Sequence, residues 1–150
     1  MVRIDKELVK QAIQRAEMRT SGEIRVSLSP PFWGDVWNTA VAAFERLGMT
    51  ATKERNAVLF FVVPSRHRFV VLGDSGINER VGQEFWHHIA RALSERLHHG
   101  DLTGGLVAAI EEVGEQLARF FPPVESETNE LPMLMTSGRS IESHWKRSLF

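Results

Sequence analysis

A run of seven consecutive apolar residues, AVLFFVV at positions 57–63, is the feature that most constrains the fold of this chain. The run has the length of a strand, is rich in β-branched and aromatic residues, and does not alternate with polar residues. A strand of this composition is buried on both faces, whereas a strand with one face in water alternates. We therefore expect residues 57–63 to form the central strand of a sheet.

Two shorter segments extend this sheet. Residues 23–28 (EIRVSL) alternate in polarity as a half-buried strand does, and residues 68–72 (RFVVL) follow the central run after the four residues PSRH. A connection of this length is typical of a hairpin, so the third strand is expected to be antiparallel to the second. A helical pattern separates the first strand from the second, which predicts that these two are parallel.

Four helical patterns accompany the strands, each with apolar residues at intervals of three or four positions. Asp5, Asp35 and Asp101 precede three of them as N-caps. The predicted apolar faces contain Leu8, Val9, Ala12, Ile13 and Ala16; Val36, Trp37, Ala40, Phe44 and Leu47; Phe85, Trp86, Ile89, Leu93 and Leu97; and Leu102, Leu106, Ile110, Val113 and Leu117. The pattern predicts an α/β fold in which a small mixed sheet is flanked by helices.

The composition agrees with one domain and excludes several classes of site. A chain of 150 residues with 43% apolar residues is long enough to bury one core. The absence of cysteine excludes disulfides, thiolate zinc sites and cysteine nucleophiles. A net charge of −1 without a basic cluster gives no footprint for a nucleic-acid partner. The domain is expected to span residues 1–123, and residues 124–150 are expected to be a partly irregular C-terminal tail.

The lengths of the apolar segments predict where in the cell the chain is located. Met1 leads into Asp5 and Lys6 without the apolar segment of a secretory signal. No run of about 18 apolar residues is present, so no transmembrane segment is expected. The chain is predicted to be soluble and cytoplasmic, and nothing in the sequence specifies its oligomeric state.

Three polar loops are predicted to meet at one edge of the sheet. Because the first two strands are parallel and the third is antiparallel, the first two begin where the third ends. The loops at that edge are residues 20–23, 50–56 and 73–78. They bring together carboxylate, amide, hydroxyl and guanidinium groups at a sheet edge, where ligands commonly bind.

A hard divalent cation is one ligand that this set of residues suits. Ca²⁺ takes six to eight oxygen ligands from carboxylates, amides, carbonyls and water. The candidate metal ligands are Asp74, Glu23 and Asn56, and Ca²⁺ is the candidate cofactor. Glycines around Asp74 would let a backbone approach the ligand closely. The other candidate ligand-binding residues at this edge are Arg55, Ser75, Gly76, Ser21 and Thr52.

A purely structural role explains the same residues without a ligand. Asp-Ser-Gly is favourable turn chemistry, and Arg55 is available to pair with Asp74 or Glu23. No D-x-D-x-D-G loop is present, so the edge is not an EF-hand. Spacing alone leaves the turn or ion pair and the ligand site as open alternatives.

Five stretches of the chain resemble the TPM-domain family. They are AEMRTSGEIRV, FERLGMTATKERNAVLFFV, RFVVLGDSGINERVGQEFW, GLVAAIEEVGEQLARFFP and NELP, which lie in order between residues 4 and 132. The family also includes a plant thylakoid acid phosphatase, a photosystem II repair protein and a nematode receptor modulator. The resemblance is strongest to its short, soluble bacterial branch, from which Met133 departs because an acidic residue usually follows NELP there.

The resemblance implies a three-layer α/β/α sandwich around a small mixed sheet of about 3–4 strands. It also implies Ca²⁺ binding, as in some members, and acid phosphatase activity, as attributed to the plant member. The positions that match polar family motifs are Thr20, Ser21, Gly22, Glu23, Thr52, Arg55, Asn56, Gly73, Asp74 and Gly76. These are positions that the predicted topology already gathers at one edge.

Three functions therefore remain open. The favoured function is a soluble binding module for Ca²⁺ or another hard divalent cation at this edge. The alternatives are a weak metal-dependent acid phosphatase using the same edge and a scaffold that binds a protein partner without a ligand. No catalytic residue is assigned, because the sequence contains neither a D-x-D-x-T motif nor a G-x-S-x-G elbow. Arg55 distinguishes the first two functions: a phosphatase needs it free to hold phosphate, whereas a binding module can leave it in an ion pair.

Histidines and aromatic residues elsewhere suggest weaker sites. His87 and His88 precede His98 and His99 by eleven residues, or three helical turns of about 16 Å, which is too far for one metal ion. We expect these histidines at the surface. Phe32 and Trp33 follow two prolines and are expected to form a contact patch at the opposite edge of the sheet.

Overall fold

The computed structural model describes residues 3–123, and the predicted tail lies outside this range. The helices and strands, in chain order, are α1 (Lys6–Glu17), β1 (Glu23–Leu28), α2 (Val36–Arg46), β2 (Ala57–Val63), β3 (Arg68–Gly73), α3 (Ser75–His98) and α4 (Leu102–Phe120). Two short 3₁₀ turns, Met49–Ala51 and Pro64–Arg66, precede and follow β2. The predicted order of elements is confirmed.

The sheet has the order β1-β2-β3, with β1 parallel and β3 antiparallel to β2. Every residue of β2 is buried, because the strand lies between two cores. Val58, Phe60 and Val62 pack with residues of α1, α3 and α4. The intervening residues pack with α2 on the other face. The three-layer α/β/α sandwich is confirmed, with three helices on one face of the sheet and one on the other.

The end of the sheet at which β1 and β2 begin and β3 ends is called the lower edge here. Helices α1 and α4 both run towards it, because the Asp5 amide donates to Thr103 Oγ1 at 2.9 Å and the Ser21 amide donates to the Phe121 carbonyl at 2.9 Å. Helix α3 begins at the lower edge, directly after β3. Asp101, the N-cap of α4, therefore lies at the upper edge.

The predicted positions of Leu8, Trp37, Ser75 and Gly76 were wrong. Leu8 is 48% and Trp37 55% exposed, although helical spacing placed them on the core faces of α1 and α2. Ser75 and Gly76 already belong to α3 rather than to a loop, because Asp74 caps the helix immediately after β3. Helix α3 is also interrupted at Gly82, whose φ of 80° and ψ of 170° are not helical.

Asp101 gives the domain a small pH-dependent contribution to stability. The Gly104 amide and the Arg96 guanidinium both donate to its carboxylate, which lowers the pKa of Asp101 from its ordinary value of 3.8. Because this pKa is lowered on folding, ionised Asp101 stabilises the folded state above its ordinary pKa, and the effect is lost as the pH falls through the lowered pKa. In urea titrations, parent and Asp101→Asn should differ in stability at neutral pH, and the difference should shrink as the pH falls through the lowered pKa of Asp101. Parallel curves would contradict this assignment.

Candidate functional site

The three predicted loops do meet at the lower edge. The Asn56 side-chain amide donates to Ser21 Oγ at 3.3 Å, and the Glu23 amide donates to the Asn56 carbonyl at 3.4 Å. On the other side, the Gly76 amide donates to the Arg55 carbonyl at 2.8 Å. Residues 20–23, 52–56 and 74–77 are thus joined by direct hydrogen bonds around the start of β2.

Asp74 and Arg55 form a bidentate ion pair at this edge. Arg55 Nε donates to Asp74 Oδ2 at 2.6 Å, and Arg55 Nη2 donates to Asp74 Oδ1 at 2.9 Å. Asp74 Oδ1 also accepts from the Ser75 amide at 2.8 Å, as expected for the N-cap of α3. The hydrogen bond and the charge of Asp74 raise the pKa of Arg55. The ion pair left open by the sequence is therefore present, with Asp74 7% exposed and Arg55 49% exposed.

Asn56 is the most deeply buried polar residue of the edge, at 1% exposure. Its backbone amide donates to Thr52 Oγ1 at 3.1 Å, and its side-chain Nδ2 donates to Ser21. Its Oδ1 atom is buried and has no hydrogen-bond partner among the described residues. Buried amide oxygens normally have a hydrogen-bond partner, so this atom is an unused acceptor at the lower edge.

Glu23 lies in a separate ion pair. Arg25 Nε donates to Glu23 Oε2 at 2.6 Å, and Arg25 also reaches the Leu47 carbonyl. In the sheet Glu23 is opposite Ala57 on one side, and Asp74 donates its amide to Ala57 on the other. The backbones of the two acidic residues are thus two strand spacings apart, about 10 Å. Within residues 3–123 no three His, Asp or Glu side chains form a group that could hold a metal ion.

The glycines around Asp74 are in contact with protein atoms. A Cβ atom on Gly73 would lie 2.4 Å from Trp86 Cζ2, and one on Gly76 would lie 2.1 Å from the Glu54 carbonyl oxygen. The close approach that the sequence suggested for a ligand is therefore made by the Trp86 ring and by the backbone of the neighbouring loop. Arg55, whose carbonyl also faces Gly76, has a φ of 54°, a left-handed conformation that surrounding contacts must sustain.

Two contacts at the edge were not predicted: those of Thr20, which was expected at this edge, and that of Trp86, which was expected only on the core face of its helix. The Thr20 hydroxyl, which is buried, reaches the Leu117 and Phe121 carbonyls and so ties the site to the end of α4. Trp86 donates its indole N–H to Asn78 Oδ1 at 2.9 Å, and its ring lies against Gly73. Neither contact has a local signal, because each joins segments that are distant in the chain or separated by the interruption at Gly82.

The other candidate features are at the surface. His87, His88, His98 and His99 are all exposed, as predicted, and His88 Nε2 is 2.8 Å from Glu112 Oε1. Trp33 is fully exposed, whereas Phe32 is partly buried beneath the Arg66 guanidinium, 5.2 Å from its ring centre. These aromatic residues lie towards the upper edge, beside the turn Pro64–Arg66.

Comparison with known proteins identifies the family. The family model described as "TPM domain" matches residues 3–116. The chain belongs to the TPM-domain family. Among solved structures, this TPM domain is similar to the BA42 protein of the psychrophilic bacterium Bizionia argentinensis, with 37% identity and a TM-score of 0.75. That match covers 83% of this chain and 88% of BA42.

A more distant structure shares the fold. The N-terminal domain of the cg2496 protein from Corynebacterium glutamicum is 18% identical, with a TM-score of 0.58, and the match covers 74% of this chain and 70% of that domain. No curated protein matches the TPM domain described here. Among residues 3–123, none of the helices has the length and apolar character needed to cross a membrane.

Proposed function

We propose that this TPM domain is a binding module for a hard divalent cation, Ca²⁺ in the first place, at the lower edge. The observation that carries the proposal is the buried Asn56 Oδ1 atom, which has no hydrogen-bond partner among the described residues. An amide oxygen is a normal ligand for Ca²⁺. A cation would satisfy this acceptor and would join the three chain segments that meet there.

The residues present fit such an ion in their chemistry. A carboxylate offers about four acceptor positions, and the described hydrogen bonds to Asp74 use three of them. Asp74 and Asn56 would hold the cation, with carbonyls and water completing six to eight ligands. Glu23 would join them only by leaving Arg25. Ser21, Thr52 and Ser75 would support the site through the loop hydrogen bonds.

Arg55 determines how strongly a cation is held. Its positive charge neutralises Asp74, and a second cation at the same carboxylate has to overcome that repulsion. Because Arg55 is half exposed, its guanidinium can turn towards solvent and leave Asp74 to the ion. Cation binding and the Arg55–Asp74 pair therefore compete in this proposal.

The same pair distinguishes the proposal from the phosphatase alternative. A phosphatase at this edge needs Arg55 to meet the phosphate, but both donor groups of its bidentate contact are used by Asp74. The two functions then predict opposite effects for Arg55→Met. The substitution removes the substrate-binding group of a phosphatase, whereas it frees the carboxylate of a cation module.

Thermal unfolding and calorimetric titration with CaCl₂ test the proposal. Ca²⁺ at about 100 times its dissociation constant should add about 2.7 kcal/mol, or roughly 5–10 °C in Tm for a domain of this size. The rise should be smaller with Mg²⁺, which demands a stricter octahedral geometry. Arg55→Met should bind Ca²⁺ about tenfold more tightly, because the competing charge is gone.

Two matched variants make the result specific. Asp74→Asn keeps a side-chain acceptor for the cap of α3 but removes the charge, and it should lose the Ca²⁺ response. Asp101→Asn changes a similar cap with an arginine partner at the upper edge, and it should keep the response. A parent protein with no shift at millimolar Ca²⁺, or an unchanged response in Asp74→Asn, would refute this site.

A further inference from the structure

The outer edge of β3 is open and apolar. Within residues 3–123 the strand pairs with β2 alone, and Phe69, Val70, Val71 and Leu72 are each only partly buried. The Asp74 amide donates to the Ala57 carbonyl, so alternation along the ladder directs the backbone groups of Phe69, Val71 and Gly73 away from β2. An edge of this kind is a template for a further strand.

A groove runs along this edge. It has a volume of about 360 Å³ and is bounded by Trp37 on the α2 side and by Trp86 and His87 on the α3 side. Side chains from both faces of β3 line it, since Phe69 and Val71 pack with one core and Val70 and Leu72 with the other. An occupant must therefore present apolar side chains on both of its faces, at consecutive rather than alternate positions.

We propose that residues 131–136 of this chain (LPMLMT) occupy the groove as a fourth strand, antiparallel to β3. Residues 131–135 comprise four Leu or Met residues and one proline, whereas elsewhere in residues 124–150 no more than two apolar residues are adjacent. Leucine and methionine on both faces match the two-sided groove, and methionine adapts to irregular apolar surfaces. Pro132 is compatible with an edge strand when its nitrogen faces away from the ladder.

The point at which the described chain ends places this segment within reach. Phe121 lies at the lower edge, and its ring is 5.4 Å from the Arg80 guanidinium on the first part of α3. Asn78, two residues before Arg80, lines the groove. The seven residues 124–130 span up to about 23 Å when extended, about twice the diameter of the intervening helix. Because β3 ends at the lower edge, a segment that enters there runs antiparallel to it.

Amide hydrogen exchange, measured residue by residue on the full chain, tests the proposal. Added pairing should protect the outward amides of β3, so those of Phe69 and Val71 should exchange at least about tenfold more slowly in the parent than in Leu134→Asp. The amides of Val70 and Leu72, which face β2, should be protected equally in both proteins. Ile141→Asp, a charge placed in the tail outside the segment, should behave as the parent.

Each other outcome overturns the assignment. Equal exchange at Phe69 and Val71 in the parent and in Leu134→Asp would show that residues 131–136 do not pair with β3. Protection that is lost in Ile141→Asp but kept in Leu134→Asp would assign the groove to a different part of the tail. Protection that rises with protein concentration would assign it to a second copy of the chain.

Discussion

Gly76→Ala should destabilise the domain by about 3 kcal/mol, the upper end of the usual cost of overpacking. The new Cβ atom would lie 2.1 Å from the Glu54 carbonyl oxygen and 2.7 Å from that of Arg55. Both oxygens belong to the backbone, so no side-chain rotation relieves the contact. Moving the loop away would break the hydrogen bond from the Gly76 amide to the Arg55 carbonyl and displace Arg55 from Asp74.

Urea unfolding of Gly76→Ala and Gly48→Ala measures this effect against a matched control. Gly48 has a φ of 71°, but a Cβ atom there would meet nothing within 4 Å. Gly48→Ala should lower the free energy of unfolding by only about 1 kcal/mol, because alanine is strained in this left-handed backbone conformation. If the two variants lose equal stability, the close contact at Gly76 is not what requires glycine. Retention of the Ca²⁺ response in Gly76→Ala would further show that the loop tolerates displacement.

Much of the fold was predictable because the relevant signals are local. The unbroken apolar run of β2 identified the strand buried between two layers, and the short connection after it fixed the direction of β3. From these two signals the three loops were predicted to lie at one edge of the sheet. Trp37 shows the limit of this approach, since helical spacing gives the face of α2 but not where the neighbouring layer ends.

The sequence predicted where the candidate site lies but not which charged residues form ion pairs in it. Asp74, Arg55 and Asn56 were expected close together, and they are. Spacing did not decide between Asp74 and Glu23 as the partner of Arg55, because that choice depends on which side of β2 the loop turns. The structure shows that Glu23 is paired with Arg25 on its own strand. The partnerless Asn56 Oδ1 atom has no signature in the sequence at all.

Position 73, just before Asp74, requires glycine because of a tertiary contact. Gly73→Ala should therefore destabilise the domain by about 2–3 kcal/mol. A Cβ atom at position 73 would lie 2.4 Å from Trp86 Cζ2 and 2.9 Å from Trp86 Cη2. The indole is held in place by its hydrogen bond to Asn78 and by edge contact with Phe85. It therefore cannot retreat without loss of these contacts.

Trp86→Phe should partly rescue Gly73→Ala, because a phenyl ring is shorter than the indole and lacks the atoms that meet the new methyl group. Alone, Trp86→Phe should destabilise the domain, since it leaves a void and Asn78 without its donor. The double variant should be more stable than the sum of the single effects predicts, by at least about 1 kcal/mol. Phe44→Leu, in the core on the other side of the sheet, should combine additively with Gly73→Ala. Additive behaviour of Gly73→Ala with Trp86→Phe would mean that another contact requires the glycine, and the position of Asp74 would then not depend on the Trp86 ring.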